Sequence, residues 1–403
     1  MLSIALEERI KMKHIVIVGG GFGGVVAARQ LSGDSSFHIT LISDQATFRY
    51  SAALYRVATG YRRRIALMPI SEMIPSNVTF VMGTAQTIDR THKRITLSGG
   101  DVIEYDKLVL SLGSVTTYFN IPGLSELSYG IKNEPALQAL REHFHSSLIK
   151  QHGLDTNYIV VGGGPTGVEL AAGLASYLRF LAKSHHVKRR AVHLELVEAS
   201  ERILPTLTER ASLKATKRLN KLHVKVMVNK KVEAETSSSL KLDDQTLRSK
   251  TVIWTAGTTN NPFYEANKSQ FERSKRGRVI VDQFLRVDTD VYVIGDNADT
   301  TYSGLAQTAI HQAKYVSKNI RNELEGRRVK PYHAKRPFYI VPVGSGWSVL
   351  EYGPFVICGW LSAQLRKAAD LIGYADVMGW QKSLQTWKQY NDSEEDCPVC
   401  KQQ

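Results

Sequence analysis

Cysteine is scarce in this 403-residue chain: only Cys358, Cys397 and Cys400 occur, all late. No disulfide framework can hold such a fold, and a reducing compartment is expected. Sulfur relay chemistry is likewise excluded from the whole region before Cys358, which contains no thiol. Long apolar runs are missing too, since nothing reaches the roughly 18 uninterrupted residues of a membrane-spanning helix. Glu7, Glu8 and Arg9 stand where a secretory signal needs an apolar core, so neither a span nor export by a visible signal is expected, and residues 1–11 read as a short extension or an upstream start. Acidic residues are in deficit, 38 against 52 Lys+Arg, leaving a net charge of +14 that favours an anionic partner such as nucleic acid, lipid headgroups or phosphate cofactors. With 43% hydrophobic residues, 22% charged and 30 glycines against 12 prolines, a disordered or collagenous chain is excluded. The length points to two or three domains.

The apolar run His14 to Val18 ends in Gly19-Gly20-Gly21-Phe22-Gly23-Gly24 and continues into the helix-compatible Val25 to Leu31. This is strand, glycine turn, helix. Gly19, Gly21 and Gly24 form G-x-G-x-x-G, whose glycines provide a tight turn, close backbone approach to a pyrophosphate, and close packing of helix on strand. The helix N-terminus adds amides and a positive dipole end. A second strand, Phe37 to Ile42, arrives at Ser43-Asp44, where Asp44 is the candidate for a ribose hydroxyl, although Ser43 holds the strand-ending position usually taken by the acid.

Tyr158 to Val161 repeats the pattern, leading into Gly162-Gly163-Gly164-Pro165-Thr166-Gly167 and a second helix. Two dinucleotides are therefore expected on one chain. The run Val192 to Val197 ends in Glu198, placed for a ribose 2′-hydroxyl and repelling a 2′-phosphate, which favours NADH, while nearby Arg202 keeps NADPH open. Glu169, five residues after Gly164, is either a first-turn carboxylate favoured by the helix dipole or a group aimed at a redox centre.

These residues resemble the type II NADH dehydrogenases within the two-dinucleotide flavoproteins. Gly19 to Gly24, including Phe22 and Gly23, is similar to that family's flavin motif, and Ala53 to Gly60 to its next loop. The stretch from Tyr105 through Gly113 to Ser114, with Ile121-Pro122-Gly123, resembles the exit from the flavin domain. Gly162 to Glu169 resembles the nicotinamide motif with its carboxylate, Val252 to Gly257 the return crossover, and Val291 to Asp296 the second flavin motif. The resemblance implies that Asp296 contacts the flavin's ribityl chain, and that Ser43, Gly113, Gly257, Ala306 and Gln307 contact cofactor. Ala306-Gln307-Thr308-Ala309 is similar to the start of the family's quinone-helix motif, but His311 holds its last position and Gln312 follows. Ser43, the other departure, resembles the sulfide:quinone oxidoreductases.

Beyond residue 330 the composition turns basic, aromatic and helical. Ile357, Leu361, Leu365, Ala368 and Ile372 recur at helical spacing with Gln364, Arg366, Lys367 and Asp370 on other faces, and Val377, Trp380, Leu384 and Trp387 repeat the pattern. Such helices suit a membrane interface, the protein's own core or a second copy in a homodimer. The family resemblance implies the membrane, with an anionic lipid surface and a lipid-soluble acceptor. Cys397 and Cys400 are read as an exposed pair without catalytic duty, and His185-His186 and Arg189-Arg190 as solvated; no metal spacing and no nucleic-acid motif is found.

The expected fold is α/β, with two tandem Rossmann-like domains and a C-terminal amphipathic membrane-binding region. Residues 12–120 and 259–330 are expected to form a discontinuous FAD-binding domain, 121–258 the NADH-binding domain and 331–403 the tail. By resemblance the chain is a single-subunit, non-pumping respiratory NADH:quinone oxidoreductase, peripheral on the cytoplasmic face, carrying non-covalent FAD. Glu169, Gln307 and His311 are the candidates for proton handling. A soluble NAD(P)H-dependent flavoprotein reductase with another acceptor and a redox-sensing scaffold share every glycine motif.

Overall fold

The computed structural model describes residues 12–150, 155–184 and 192–392. Cys397, Cys400, His185, His186, Arg189 and Arg190 lie outside them. The first glycine turn joins β1 (Lys13–Val18) to α1 (Phe22–Leu31), followed by β2 (Phe37–Ser43), β3 (Val78–Met82), β4 (Lys107–Leu110) and β5 (Ser114–Thr116). The second joins β6 (Asn157–Val161) to α2 (Pro165–Ser184), followed by β7 (His193–Val197), β8 (Val224–Met227), β9 (Thr251–Trp254) and β10 (Thr258–Asn260). After these come β11 (Val291–Val293) and α3 (Ala306–Leu324), then β12 (Tyr339–Pro342), β13 (Ser348–Tyr352), β14 (Phe355–Gly359), α4 (Trp360–Met378) and α5 (Trp380–Lys388).

The continuous apolar runs of β1 and β6 have no wet side to offer, so they form the centres of parallel sheets covered on both faces. One sheet has the order β11-β4-β1-β2-β3 and the other β8-β7-β6-β9, every pairing parallel. Ile15, Val16, Ile17, Ile159 and Val160 are completely buried. This is an α/β Rossmann-type architecture. Because β11 completes the first sheet only after the second has been made, the chain leaves and returns through β5 and β10, which pair antiparallel with Ser114 opposite Asn260. On its return, α3 packs against α1.

The tail is an antiparallel meander, β12-β13-β14, followed by α4 and α5. Ile357, expected on a helix, lies instead in β14. The strand ends at Gly359, whose positive φ of 112° is a conformation a Cβ disfavours, and only there does the helix begin. Helix α4 also inverts the usual arrangement. Ser362, Arg366, Asp370 and Tyr374 face inward, whereas Trp360, Leu361, Leu365 and Ile372 face outward, Trp360 being 68% exposed. The second expected stripe is split: Val377 is buried, Trp380 and Leu384 are exposed, and Trp387 donates its indole N–H to Lys367 O. Among the described residues, no helix is long and apolar enough to cross a membrane.

Candidate functional site

The two glycine turns use the same steric logic. A Cβ on Gly19 would lie 2.1 Å from Ser111 O, and one on Gly24 1.8 Å from Gly19 O. On Gly162 it would lie 2.8 Å from the Ala256 amide N, and on Gly167 1.8 Å from Gly162 O. The outer glycines are thus required by backbone packing. The middle ones, Gly21 and Gly164, face open space. Gly21 caps α1 with no side-chain hydrogen bond, and neither helix has an acidic residue in its first turn. Orphan amides opening onto room enough for a phosphate are what a bound pyrophosphate requires.

Gly19, Gly21, Phe22 and Gly23 line a cavity of about 710 Å³, within the roughly 300–1,000 Å³ range of ligand pockets. Ser43 and Asp44 border one part of it, where the absence of a side chain on Gly20 admits Ser43, whose hydroxyl accepts from the Gln45 amide. Gly113, Asp296 and Ala306 line it as well. Ser114 Oγ donates to Asp296 Oδ2 at 2.7 Å, which fixes that carboxylate at the cavity wall. Asn297, not singled out from sequence, is fully buried. Its amide side chain accepts from Gly113 N and donates to Gly113 O, tying the two flavin-side loops together. Leu54, Ile131, Lys132 and Thr166 also contribute to the lining, and Thr166 comes from the second cradle, so the cavity reaches the place where both cradles meet. The Lys132 ammonium donates to Gly257 O, and burial pulls its proton affinity below the ordinary lysine value, with Asp296 partly offsetting this. The cavity fits a dinucleotide flavin.

At the second cradle, Glu198 Oε2 accepts from Gly163 N at 2.5 Å and Oε1 from Ser200 N at 2.7 Å, so the carboxylate braces the turn while each oxygen keeps a lone pair. Arg202 is spent on backbone, donating to the carbonyls of Leu204, Pro205 and Leu207. Three of its five N–H donors are thereby engaged, which weakens it as a partner for a 2′-phosphate.

Glu169 is 7% exposed on α2, one turn on from the cavity-lining Thr166 but not itself part of the lining, with Arg366 Nη1 at 3.3 Å. Burial, and then Asp370, push its carboxyl up to about 7 against the opposing pull of Arg366. Gln307 is exposed and pairs reciprocally with the backbone of Phe338. His311 turns to Tyr332, its Nδ1 3.2 Å from the phenol oxygen, and does not line the cavity. The inward position belongs to Gln312, fully buried, which accepts from Gly295 N and donates to Thr300 Oγ1. Helical phase is the signal that finds it: Gln312 lies one turn on from Ala309, which lines the cavity, whereas His311, two residues on, points to the far side. Among the described residues there is no cluster of His, Cys, Asp and Glu suited to a metal ion.

Residues 13–313 match the pyridine nucleotide-disulphide oxidoreductase family. The type II NADH:quinone oxidoreductase NdhA of Mycobacterium tuberculosis is 27% identical over 408 aligned positions, covering 93% of this chain and 87% of that protein. The type II NADH:quinone oxidoreductase of Staphylococcus saprophyticus is 28% identical over 341, covering 78% and 83%. The solved structure of NDH2 from Plasmodium falciparum in complex with NADH superposes with a TM-score of 0.83 at 17% identity, covering 94% of this chain and 97% of that one.

Proposed function

Because the chain belongs to the pyridine nucleotide-disulphide oxidoreductase family, we propose from the cradles and the cavity between them that it is an FAD-dependent NADH:quinone oxidoreductase. The observation that carries this is the single cavity lined both by the first cradle and by Thr166 of the second. Two relatives bearing that activity's name align over most of their length and support the reading. Bound FAD supplies the redox chemistry, accepting hydride from NADH and passing two electrons to the quinone.

The protein's own residues bind, orient and handle protons. Gly19, Gly21, Phe22 and Gly23, with Ser43, Asp44, Gly113, Asp296 and Ala306, hold the flavin nucleotide, and Gly24 packs the turn. Gly162, Gly164, Gly167 and Glu198 hold NADH. Quinone reduction consumes two protons, and Glu169, buried with its carboxyl near neutrality, is suited to relay one of them. Gln307 and Gln312 act as positioning residues for neighbouring backbone. Residues 12–120 and 259–330 form the flavin domain, 121–258 the nicotinamide domain and 331–403 the tail.

The tail docks on an anionic membrane surface at the cytoplasmic face. Its support is the outward row Trp360, Leu361, Leu365, Ile372, Trp380 and Leu384, on helices that also bear Lys367, Lys382 and Lys388. Stopped-flow mixing tests the function: NADH should bleach the bound flavin rapidly, and a short-chain quinone should restore its absorbance. Rapid bleaching without quinone reoxidation would instead identify a reductase with a different acceptor.

A further inference from the structure

Arg366 joins three parts of the molecule. Its Nη2 donates to Ala52 O (2.7 Å) beside the flavin cradle and its Nη1 to Ile340 O in β12 (2.6 Å), while Nη1 also faces Glu169 on α2. Nε donates to Asp370 Oδ2, one turn along α4, at 3.0 Å. Asp370 accepts in addition from the hydroxyls of Tyr390 (2.6 Å) and Tyr50 (3.2 Å). The side chains of Arg366, Glu169 and Asp370 are 11%, 8% and 4% exposed, so two carboxyl groups compete for one guanidinium in a nearly dry site.

The competition is unequal. Asp370 has the shorter contact with Arg366 and two phenol donors, whereas Glu169 has a 3.3 Å contact with the same guanidinium. In low dielectric one cation neutralises one carboxylate, and the second carboxyl is favoured in its protonated form. We propose that Asp370 is a positioning residue of the quinone reaction, occupying Arg366 so that Glu169 is left as the carboxyl that holds and releases a proton. This rests on the quinone-reductase reading above.

Other groups facing the cluster do not take over that task. Burial pushes the Tyr55 hydroxyl, on the short helix Leu54–Ala58, up to about 12, so it stays neutral. Arg56 on the same helix is held between the rings of Tyr61 and Tyr390 and donates to Tyr390 O. Burial likewise raises Tyr339, next to Ile340 in β12, and Tyr374 on α4 donates to Ile65 O. As the quinone takes up two electrons, the O–H bond of Glu169 breaks and a new O–H bond forms on a quinone oxygen. The second proton comes from solvent, and solvent reprotonates the Glu169 carboxylate left beside Arg366.

Asp370→Asn tests the proposal in the holoenzyme. With Asp370 neutralised, Arg366 turns to Glu169, and the pH at which Glu169 gives up its proton should fall by roughly one unit or more. Two readouts report this: the infrared band of the protonated carboxyl, assigned by its loss in Glu169→Gln, and the alkaline limb of kcat for a short-chain quinone. Both should move to lower pH. An unmoved band and an unmoved limb would overturn the proposal. If Asp370→Asn does not fold, Tyr50→Phe combined with Tyr390→Phe should move both in the same direction by a smaller amount, and no movement there overturns it equally. Wild-type enzyme that cannot reduce quinone sinks the functional reading alone, because the infrared titration still reports whether Asp370 sets the protonation of Glu169.

Discussion

Gly163 donates its amide to Glu198 Oε2 at 2.5 Å, bracing the second cradle from the direction in which Ser43 abuts Gly20 in the first. The two turns share the same glycine stereochemistry but differ in the group behind them. Behind Gly20 stand Ile70 and the Ser43 hydroxyl, and behind Gly163 stand Ile203 and the Glu198 side chain.

The outer and middle glycines should fail differently. Gly24→Ala forces Cβ against Gly19 O and should cost on the order of 1–3 kcal/mol or more, with a lower melting temperature and lost flavin. Gly21→Ala meets no protein atom within 4 Å, so the flavin-free protein should melt almost as wild type while its flavin content after purification drops sharply. Full flavin retention by Gly21→Ala would refute the cradle assignment.

Coenzyme preference follows from Glu198 and Arg202. Wild type should use NADH far better than NADPH, and Glu198→Ala should raise KM for NADH about tenfold, because a brace worth roughly 1–2 kcal/mol is lost together with its acceptor oxygens. Arg202→Met should leave KM for NADPH unchanged, since its guanidinium is committed to the carbonyls of Leu204, Pro205 and Leu207. A clear rise in that KM would show that Arg202 reaches the coenzyme.

Glu169→Gln should slow quinone-driven reoxidation of the flavin by roughly 10²-fold or more, the usual scale of a lost acid or base. NADH-driven bleaching should slow much less. Equal slowing of both half-reactions would place Glu169 at the nicotinamide instead.

Glu235 makes a stability prediction. It is 8% exposed, its Oε2 has no hydrogen-bond partner, and burial pushes it from 4.5 up to about 8. Between those values the folded state binds more protons than the unfolded one, so this group's contribution to stability is fully present below about pH 4.5 and declines as pH rises through 8. Glu235→Gln should flatten that decline and gain about 1–2 kcal/mol over wild type near pH 9 in denaturant titrations. A parallel pH dependence in both proteins would remove Glu235 as its source.

The outward row on α4 and α5 predicts vesicle binding. Ile372→Glu with Trp380→Glu should release most of the protein from anionic liposomes in co-sedimentation, with the melting temperature little changed because both side chains are more than half exposed. Unchanged sedimentation would return these helices to a protein partner.

Much of the fold could be read directly. Runs such as His14 to Val18, broken by glycines at a fixed spacing, carry local information, because a tight turn and a helix packed on its strand require particular residues within a dozen positions. The tail was less legible. A stripe of apolar residues says that a helix has a face, but not which face meets the core, and in α4 the buried side carries Arg366 and Asp370. A motif position marks His311, but helical phase relative to the core, which a short motif does not record, puts Gln312 on the buried side.

The amino-acid order by itself determined two nucleotide cradles, their strands and helices, and the absence of any thiol before Cys358, since each depends on residues close together in the chain. The tertiary structure alone decided that Glu169, Arg366 and Asp370 share one dry cluster, that Arg202 is spent on carbonyls and that Asn297 locks Gly113. The affinity of a buried group for a proton depends on which distant charges folding brings within a few ångströms, and no local pattern records those distances.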